Sequence, residues 1–243
     1  MSWIQALAGA GLSGLVAAAV PEVVARLPEP LMAAESAGDE TAGPTKRAYV
    51  DIARLPGLRL TLIAISAACG AALANRLGVG FAGLMWAVLV PFLLALAVID
   101  WITHLLPTRL VLPLTGAALA AGTVAAAIAD DWSTWRRAVL ALVVVRTVFW
   151  LLWWIRRAGM GFGDVRLAAL LGFALGWVGT SATVIGVYAA FIAFVIAVLV
   201  WLLIRRDLGL LKAHLPFGPF LVGGALFGVL GGEQLSLLLG YAG

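Results

Sequence analysis

Residues 182–204 read ATVIGVYAAFIAFVIAVLVWLLI, with no charged side chain and no proline. At 1.5 Å per residue such a helix is about 34 Å long, enough to cross a hydrocarbon core of about 30 Å. It has no polar stripe, and a helix apolar all round belongs in a large core or a membrane. The whole chain is built this way. Of its 243 residues 63% are hydrophobic and 12% charged, with mean hydropathy +1.08, whereas a soluble domain is about 25% charged. The composition predicts an all-α polytopic membrane protein. It excludes a soluble globular enzyme, and the net charge of +4 reads as membrane topology, with no nucleic-acid partner implied.

Working outward, seven more apolar segments separate the charges: 3–24, 60–74, 79–99, 110–129, 138–155, 165–178 and 220–241. About eight transmembrane helices are therefore expected. The segments at 60–74 and 165–178 are short, so their flanks are expected to extend them or the lipid to thin beside them. The first segment has no basic region before it and no small-residue cleavage site after it, so it reads as a retained helix. A polar stretch follows, EPLMAAESAGDETAGPTKRAYVDIARLPG at 29–57. It is too polar to span and too short to hold a core of its own. It reads as a loop with one short interfacial helix around 46–55. The organisation predicted is a first helix over 1–27, a loop over 28–59 and a membrane core over 60–243.

Basic residues orient the chain. With the polar loop in the cytoplasm, twelve of the sixteen Lys and Arg residues fall on cytoplasmic segments. Only Arg76, Arg136 and Arg137 fall on the other side, and Arg146 lies inside a helix. That bias places both termini outside the cytoplasm. Trp3, Trp101, Trp132, Trp135, Trp153, Trp154 and Trp177 fall near predicted helix ends, as an aromatic belt does. Cys69 lies alone in an apolar run. It cannot form an intrachain disulfide and reads as a small buried side chain.

Carboxylates at membrane depth are costly and usually functional. Most acids here sit in loops. Asp100 ends one apolar segment and Asp164 begins another, and the orientation puts both at the cytoplasmic boundary. Gly159, Gly161 and Gly163 precede Asp164. They interrupt the helix and let backbone approach closely. Two carboxyl groups at one depth can share a proton and activate water against a peptide carbonyl. The structural alternative is a capping Asp at one helix start and an interfacial Asp at a helix end.

Three motifs give these residues a family context. IDWITHLLPTRLVLPL (99–114), GMGFGDVRLAALLG (159–172) and LPFGPFLVGG (215–224) resemble, in order and spacing, those of type IV prepilin peptidases, intramembrane aspartyl proteases with a GxGD motif. The resemblance covers about residue 60 to the C-terminus. It implies an aspartic endopeptidase of the bacterial plasma membrane. The enzyme would cut the leader from prepilin or pseudopilin precursors near the cytoplasmic face, with membrane lipids around it. Asp100 and Asp164 would be catalytic, while Gly161, Gly163, Pro216, Phe217, Gly218 and Pro219 would form the active-site or substrate-binding loops. Proteolysis of this kind needs no cofactor.

The chain also departs from the family. Its first helix reads AAAVPEVVARLP (17–28) where GSFLNVVIYRLP is common, and its loop has no cysteine where many members bind zinc. Thr108 stands where Asp is usual, and Arg166 where Lys is usual. No metal site is expected. N-methylation of the product, and S-adenosylmethionine with it, stays open. A cation- or proton-coupled transporter using Asp100 and Asp164 is the alternative function, with acids nearer the midplane as its usual mark.

Other residues carry blander readings. His104 reads as a surface residue that shares the face of Asp100, and His214 as part of a turn. Glu22 and Glu233 read as interfacial, Glu233 on the side away from the pair. Arg146 is read as snorkelling or packing, against contact with a buried carboxylate or a substrate carbonyl. Pro216, Gly218 and Pro219 read equally as a helix start and as an active-site wall.

Overall fold

The computed structural model describes residues 3–28, 49–155, 160–205, 216–238 and 240. Nine helices fall among these residues: α1 (Trp3–Ala25), α2 (Tyr49–Ala53), α3 (Leu58–Leu77), α4 (Phe81–Thr103), α5 (Thr108–Ala129), α6 (Trp132–Ile155), α7 (Phe162–Val178), α8 (Thr180–Arg205) and α9 (Gly218–Leu238). No strand occurs among the described residues. Seven of the helices, all but α2 and α7, are long and apolar enough to cross a membrane. The protein is an all-α polytopic membrane protein. The segment expected at 60–74 is extended by its flanks at both ends. The interfacial helix expected around 46–55 is the five-residue α2, which buries Tyr49 and Ile52. Most of the polar loop and His214 lie outside the described residues.

The short α7 has 17 residues and is the centre of the bundle. Every residue from Asp164 to Gly176 except Arg166 is buried. Lipid tails are as apolar as leucine, so close packing has to hold such a helix in place. Its sequence supplies that. A Cβ at Gly172 would lie 2.9 Å from the Ala141 carbonyl oxygen, and one at Gly176 would lie 2.5 Å from the Ala141 Cβ. Backbone of α7 thus meets α6 with nothing between them. On another side the Trp86 indole of α4 donates to the Ala174 carbonyl of α7 at 3.3 Å. Leu167, Leu170, Leu171, Phe173 and Leu175 fill the spaces between.

A second cluster joins α1, α2, α3 and α4 through Ala17, Val20, Val24, Ile52, Leu62 and Ile99. The backbones of α1 and α3 touch where Gly9 faces Gly70, for a Cβ on Gly9 would lie 2.3 Å from the Gly70 carbonyl oxygen. Ser13 in the same seam is buried and donates to the Ala87 carbonyl of α4 at 2.8 Å, so its hydroxyl is not stranded in hydrocarbon. Ile99, the residue just before Asp100, therefore packs against α1–α3. Pro21, Pro91 and Pro113 lie inside α1, α4 and α5, which membrane helices tolerate when neighbours satisfy the freed carbonyls.

Candidate active site

Three helix ends meet at one end of the bundle. The first is the C-terminal end of α4. Asp100 occupies its last turn, and the helix stops four residues later at His104, whose φ of 56° is left-handed. The His104 N–H donates to the Asp100 carbonyl at 2.8 Å. Thr103 sharpens the stop. Its hydroxyl donates to the Ile99 carbonyl at 2.8 Å and accepts from the Leu105 N–H at 3.2 Å. Pro107 then begins α5 with extended backbone. A tight corner thus follows Asp100, and the corner carries Leu106 and Thr108 toward α7.

The second is the N-terminal end of α7. Gly161 precedes the helix in extended conformation and Asp164 sits in its first turn. Gly163 is required by proximity, since a Cβ there would lie 2.7 Å from the Leu106 Cβ. Glycine at this position lets the α4–α5 corner press against the start of α7. The Arg166 guanidinium donates to the Thr108 hydroxyl and lies 4.8 Å over the Phe162 ring. Phe162 meets Trp153 of α6 edge-on at 4.9 Å. The turn that carries Asp164 is thereby gripped by α5 on one side and α6 on the other.

The third is the N-terminal end of α9. The Gly218 N–H donates to Asp100 Oδ2 at 2.8 Å. A side chain at 218 would collide, because its Cβ would fall 2.7 Å from that same oxygen. Before it, Pro216 is buried and Phe217 packs against Phe149, Phe191 and Phe194 at 5.1 to 5.8 Å. Pro219 lies one residue into the helix. Of the two readings for this segment, the helix start is observed. The same backbone lies against Asp100, to which the first N–H of α9 donates.

Asp100 and Asp164 are 5% and 6% exposed, which is rare for charged side chains without a partner. Each lies within electrostatic reach of the other, and neither forms a salt bridge among the described residues. Asp164 Oδ1 is sealed from solvent with no hydrogen-bond partner among the described residues. An acceptor left so costs free energy that a purely structural site would avoid. Two carboxyl groups, one steadied by a backbone N–H and the other with a free oxygen, form a place where a water can be held and stripped of a proton.

The comparisons with known proteins fall on these elements. Residues 87–205 match the Type IV leader peptidase family, a range that includes both aspartates. That stretch belongs to the type IV leader peptidase family. Three relatives are named prepilin leader peptidase/N-methyltransferase. The one from Burkholderia pseudomallei (strain 1026b) is 33% identical over 156 residues, covering 61% of this chain and 46% of that protein. That from Stutzerimonas stutzeri is 31% identical over 145 residues, 59% of this chain and 48% of that protein. That from Aeromonas hydrophila is 29% identical over 182 residues, 71% of this chain and 58% of that protein. The chain spans about half the length of the curated relatives it matches. No solved structure matches.

Within this leader-peptidase stretch and its flanks, the structure brings together Asp100, Asp164, Gly161, Gly163, Phe217 and Gly218, with Pro216 and Pro219 alongside. The other acids among the described residues lie elsewhere. Glu233 pairs with Arg76 at the far end of α9, and Glu22 pairs with Arg59 at 3.4 Å with both side chains exposed. His104 is exposed and ends α4 through its backbone. The sequence reading missed the linkage between Arg166 and Thr108. Both residues depart from the family pattern, and that shared departure is the signal in the sequence that they touch. Among the described residues no three His, Cys, Asp or Glu side chains gather as a metal site would need.

Proposed function

We propose that the protein is a prepilin peptidase that uses Asp100 and Asp164 as an aspartic dyad. The observation that supports this best is the pair itself, two buried carboxyl groups at converging helix ends with no salt bridge to either among the described residues. In this reading the pair shares one proton. The ionised carboxyl takes a proton from a bound water as the water oxygen attacks the scissile carbonyl carbon. The protonated carboxyl gives its proton to the carbonyl oxygen. When the tetrahedral intermediate collapses, the C–N bond breaks, the leaving nitrogen takes up a proton from the first carboxyl, and one hydroxyl of the intermediate returns its proton to the second carboxyl as the carbonyl re-forms. The Gly218 N–H holds Asp100 through both steps, and the glycines before Asp164 leave room for extended substrate backbone.

The substrates are prepilin or pseudopilin precursors whose apolar helix lies in the bilayer and whose leader stays at the cytoplasmic face. On this account residues 60–243 form the protease core, 1–27 a first helix and 28–59 a cytoplasmic loop without the zinc-binding cysteines, and both termini face outward. Proteolysis uses no cofactor. Methylation of the new N-terminus, which the relatives' names include, would require S-adenosylmethionine.

The test is purified protein in lipid vesicles with a prepilin, followed by N-terminal sequencing and mass measurement of the product. Cleavage between the leader and the apolar segment that depends on both aspartates is the expected result. An intact prepilin, or cleavage by Asp100→Asn or Asp164→Asn equal to that of the wild type, would overturn the reading. The same mass reveals any added methyl group.

A further inference from the structure

Arg146 has no role in the site described above and no partner among the described residues. It lies nine residues before the end of α6 at Ile155 and fourteen after its start at Trp132, about 13 Å and 21 Å along the axis. That is well inside a hydrocarbon core of about 30 Å. The side chain is exposed, and so is its neighbour Thr147. The face of α6 that packs inward carries Ala138, Val145 and Phe149. Arg146 lies instead on a stripe at helical spacing formed by Val143, Arg146, Thr147, Trp150 and Trp154, all exposed. An apolar lipid-facing stripe is ordinary. One with a guanidinium and a hydroxyl at a single level near its middle is not, because an intramembrane cation is costly unless paired.

The chain's own acids do not supply the pair. Each acid in the described spanning helices lies within about a turn and a half of a helix end, as Glu22, Asp100, Asp164 and Glu233 all do. A second copy docking symmetrically on this stripe would bring guanidinium against guanidinium, which repels. Charge complementarity selects the other occupant. We propose that this face of α6 docks a transmembrane helix of another protein that carries a carboxyl side chain at the depth of Arg146. The partner's Asp or Glu receives the guanidinium, Thr147 supplies a hydroxyl beside it, and Val143, Trp150 and Trp154 pack along its flanks. Such polar contacts between membrane helices act as local pins on an otherwise van der Waals interface.

The probe is a leucine-rich single-span peptide with one central Glu, beside versions with Gln or Leu in its place. Energy transfer between labelled protein and labelled peptide is measured in phosphatidylcholine vesicles. The wild-type protein is expected to bind the Glu peptide at least about tenfold more tightly than the Leu peptide. Arg146→Lys should keep that preference and Arg146→Leu should lose it. Equal binding of the Glu and Leu peptides by the wild-type protein would overturn the proposal and leave Arg146 as a snorkelling side chain. An undiminished preference in Arg146→Leu would overturn it as well. Transfer between labelled copies of the protein itself that Arg146→Leu abolishes would show the wrong occupant. Should Arg146→Leu fail to fold, the wild-type and Arg146→Lys arms still decide.

Discussion

The two ends of the bundle treat their acidic residues in opposite ways. At one end Asp100 and Asp164 are buried, near each other and without a salt bridge among the described residues. At the other end Glu233 is bound to Arg76 and is largely exposed, and Asp131 opens α6. The Asp131 carboxylate accepts from the Ser133 hydroxyl at 2.7 Å and the Thr134 N–H at 3.1 Å. Arg137, nearby, donates to the Gly176 and Trp177 carbonyls at the end of α7. Asp131 and Arg137 at this second end thus serve helix termini, which is what acids and bases there ordinarily do. The first end spends free energy to bury what the second end leaves wet. Burial of two carboxyl groups with a single Gly218 N–H donated to Asp100 and no salt bridge among the described residues supports reading this end as a site retained for chemistry.

Substitution separates the two ends. Asp100→Asn and Asp164→Asn should each lower prepilin cleavage by roughly 10³-fold or more, as for catalytic groups that act as a unit. Glu233→Gln should leave cleavage within about twofold, since a largely exposed pair is worth about 0–1 kcal/mol. Comparable losses at both ends would erase the contrast. Next in size is Gly218→Ala, which places a Cβ against Asp100 Oδ2. A misplacement near 1 Å costs about 10²-fold, so cleavage should fall by about that factor with protein yield unchanged. Gly223→Ala in the same helix, where nothing lies within 4 Å, should leave cleavage alone and gain up to about 1 kcal/mol.

The Arg166 and Thr108 contact sharpens the comparison from inside the active end. Thr108→Val keeps the shape and removes the acceptor. A hydrogen bond to a charged group is worth about 1.5–3 kcal/mol, and because this one only positions the turn that carries Asp164, a fraction of that reaches the barrier and the catalytic rate should drop several-fold while KM holds. Equal changes in Thr108→Val and in the Arg166→Leu, Thr108→Val pair would identify the contact itself. The smallest effect belongs to Asp131. Its hydrogen bonds to Ser133 and Thr134 hold its carboxyl down at about 2. Its contribution to the start of α6 is complete above the ordinary carboxylate range and is lost as pH falls through about 2. Carboxyl chemical shifts followed by NMR in detergent should show that midpoint. A midpoint near 4 would mean the cap is not formed.

Much of this arrangement can be read from residue order. Apolar runs without charges mark the spanning helices, because burying charge in lipid is costly at any position. Asp100 and Asp164 stand out for the same reason, and Gly161 and Gly163 announce a break before the second. Other features depend on tertiary neighbours. That α7 is short yet central cannot be seen in a run of leucine and alanine, since lipid and protein demand the same side chains there. The donor to Asp100 is a backbone N–H of Gly218, 118 residues away, and no residue type reports where its N–H points. Arg146 was legible as an anomaly, but whether it turned inward or outward depended on which stripe of α6 meets α7.

The central claim is that Asp100 and Asp164 work as one unit. Cleavage rates of Asp100→Asn, Asp164→Asn and the double variant, measured with one prepilin in one vesicle preparation, test it directly. If the pair is a single catalytic device, either substitution alone removes nearly all activity and the double variant is no worse than the singles. A single variant that keeps more than a few per cent of wild-type cleavage, or a double variant whose loss is the product of the two single losses, would contradict it.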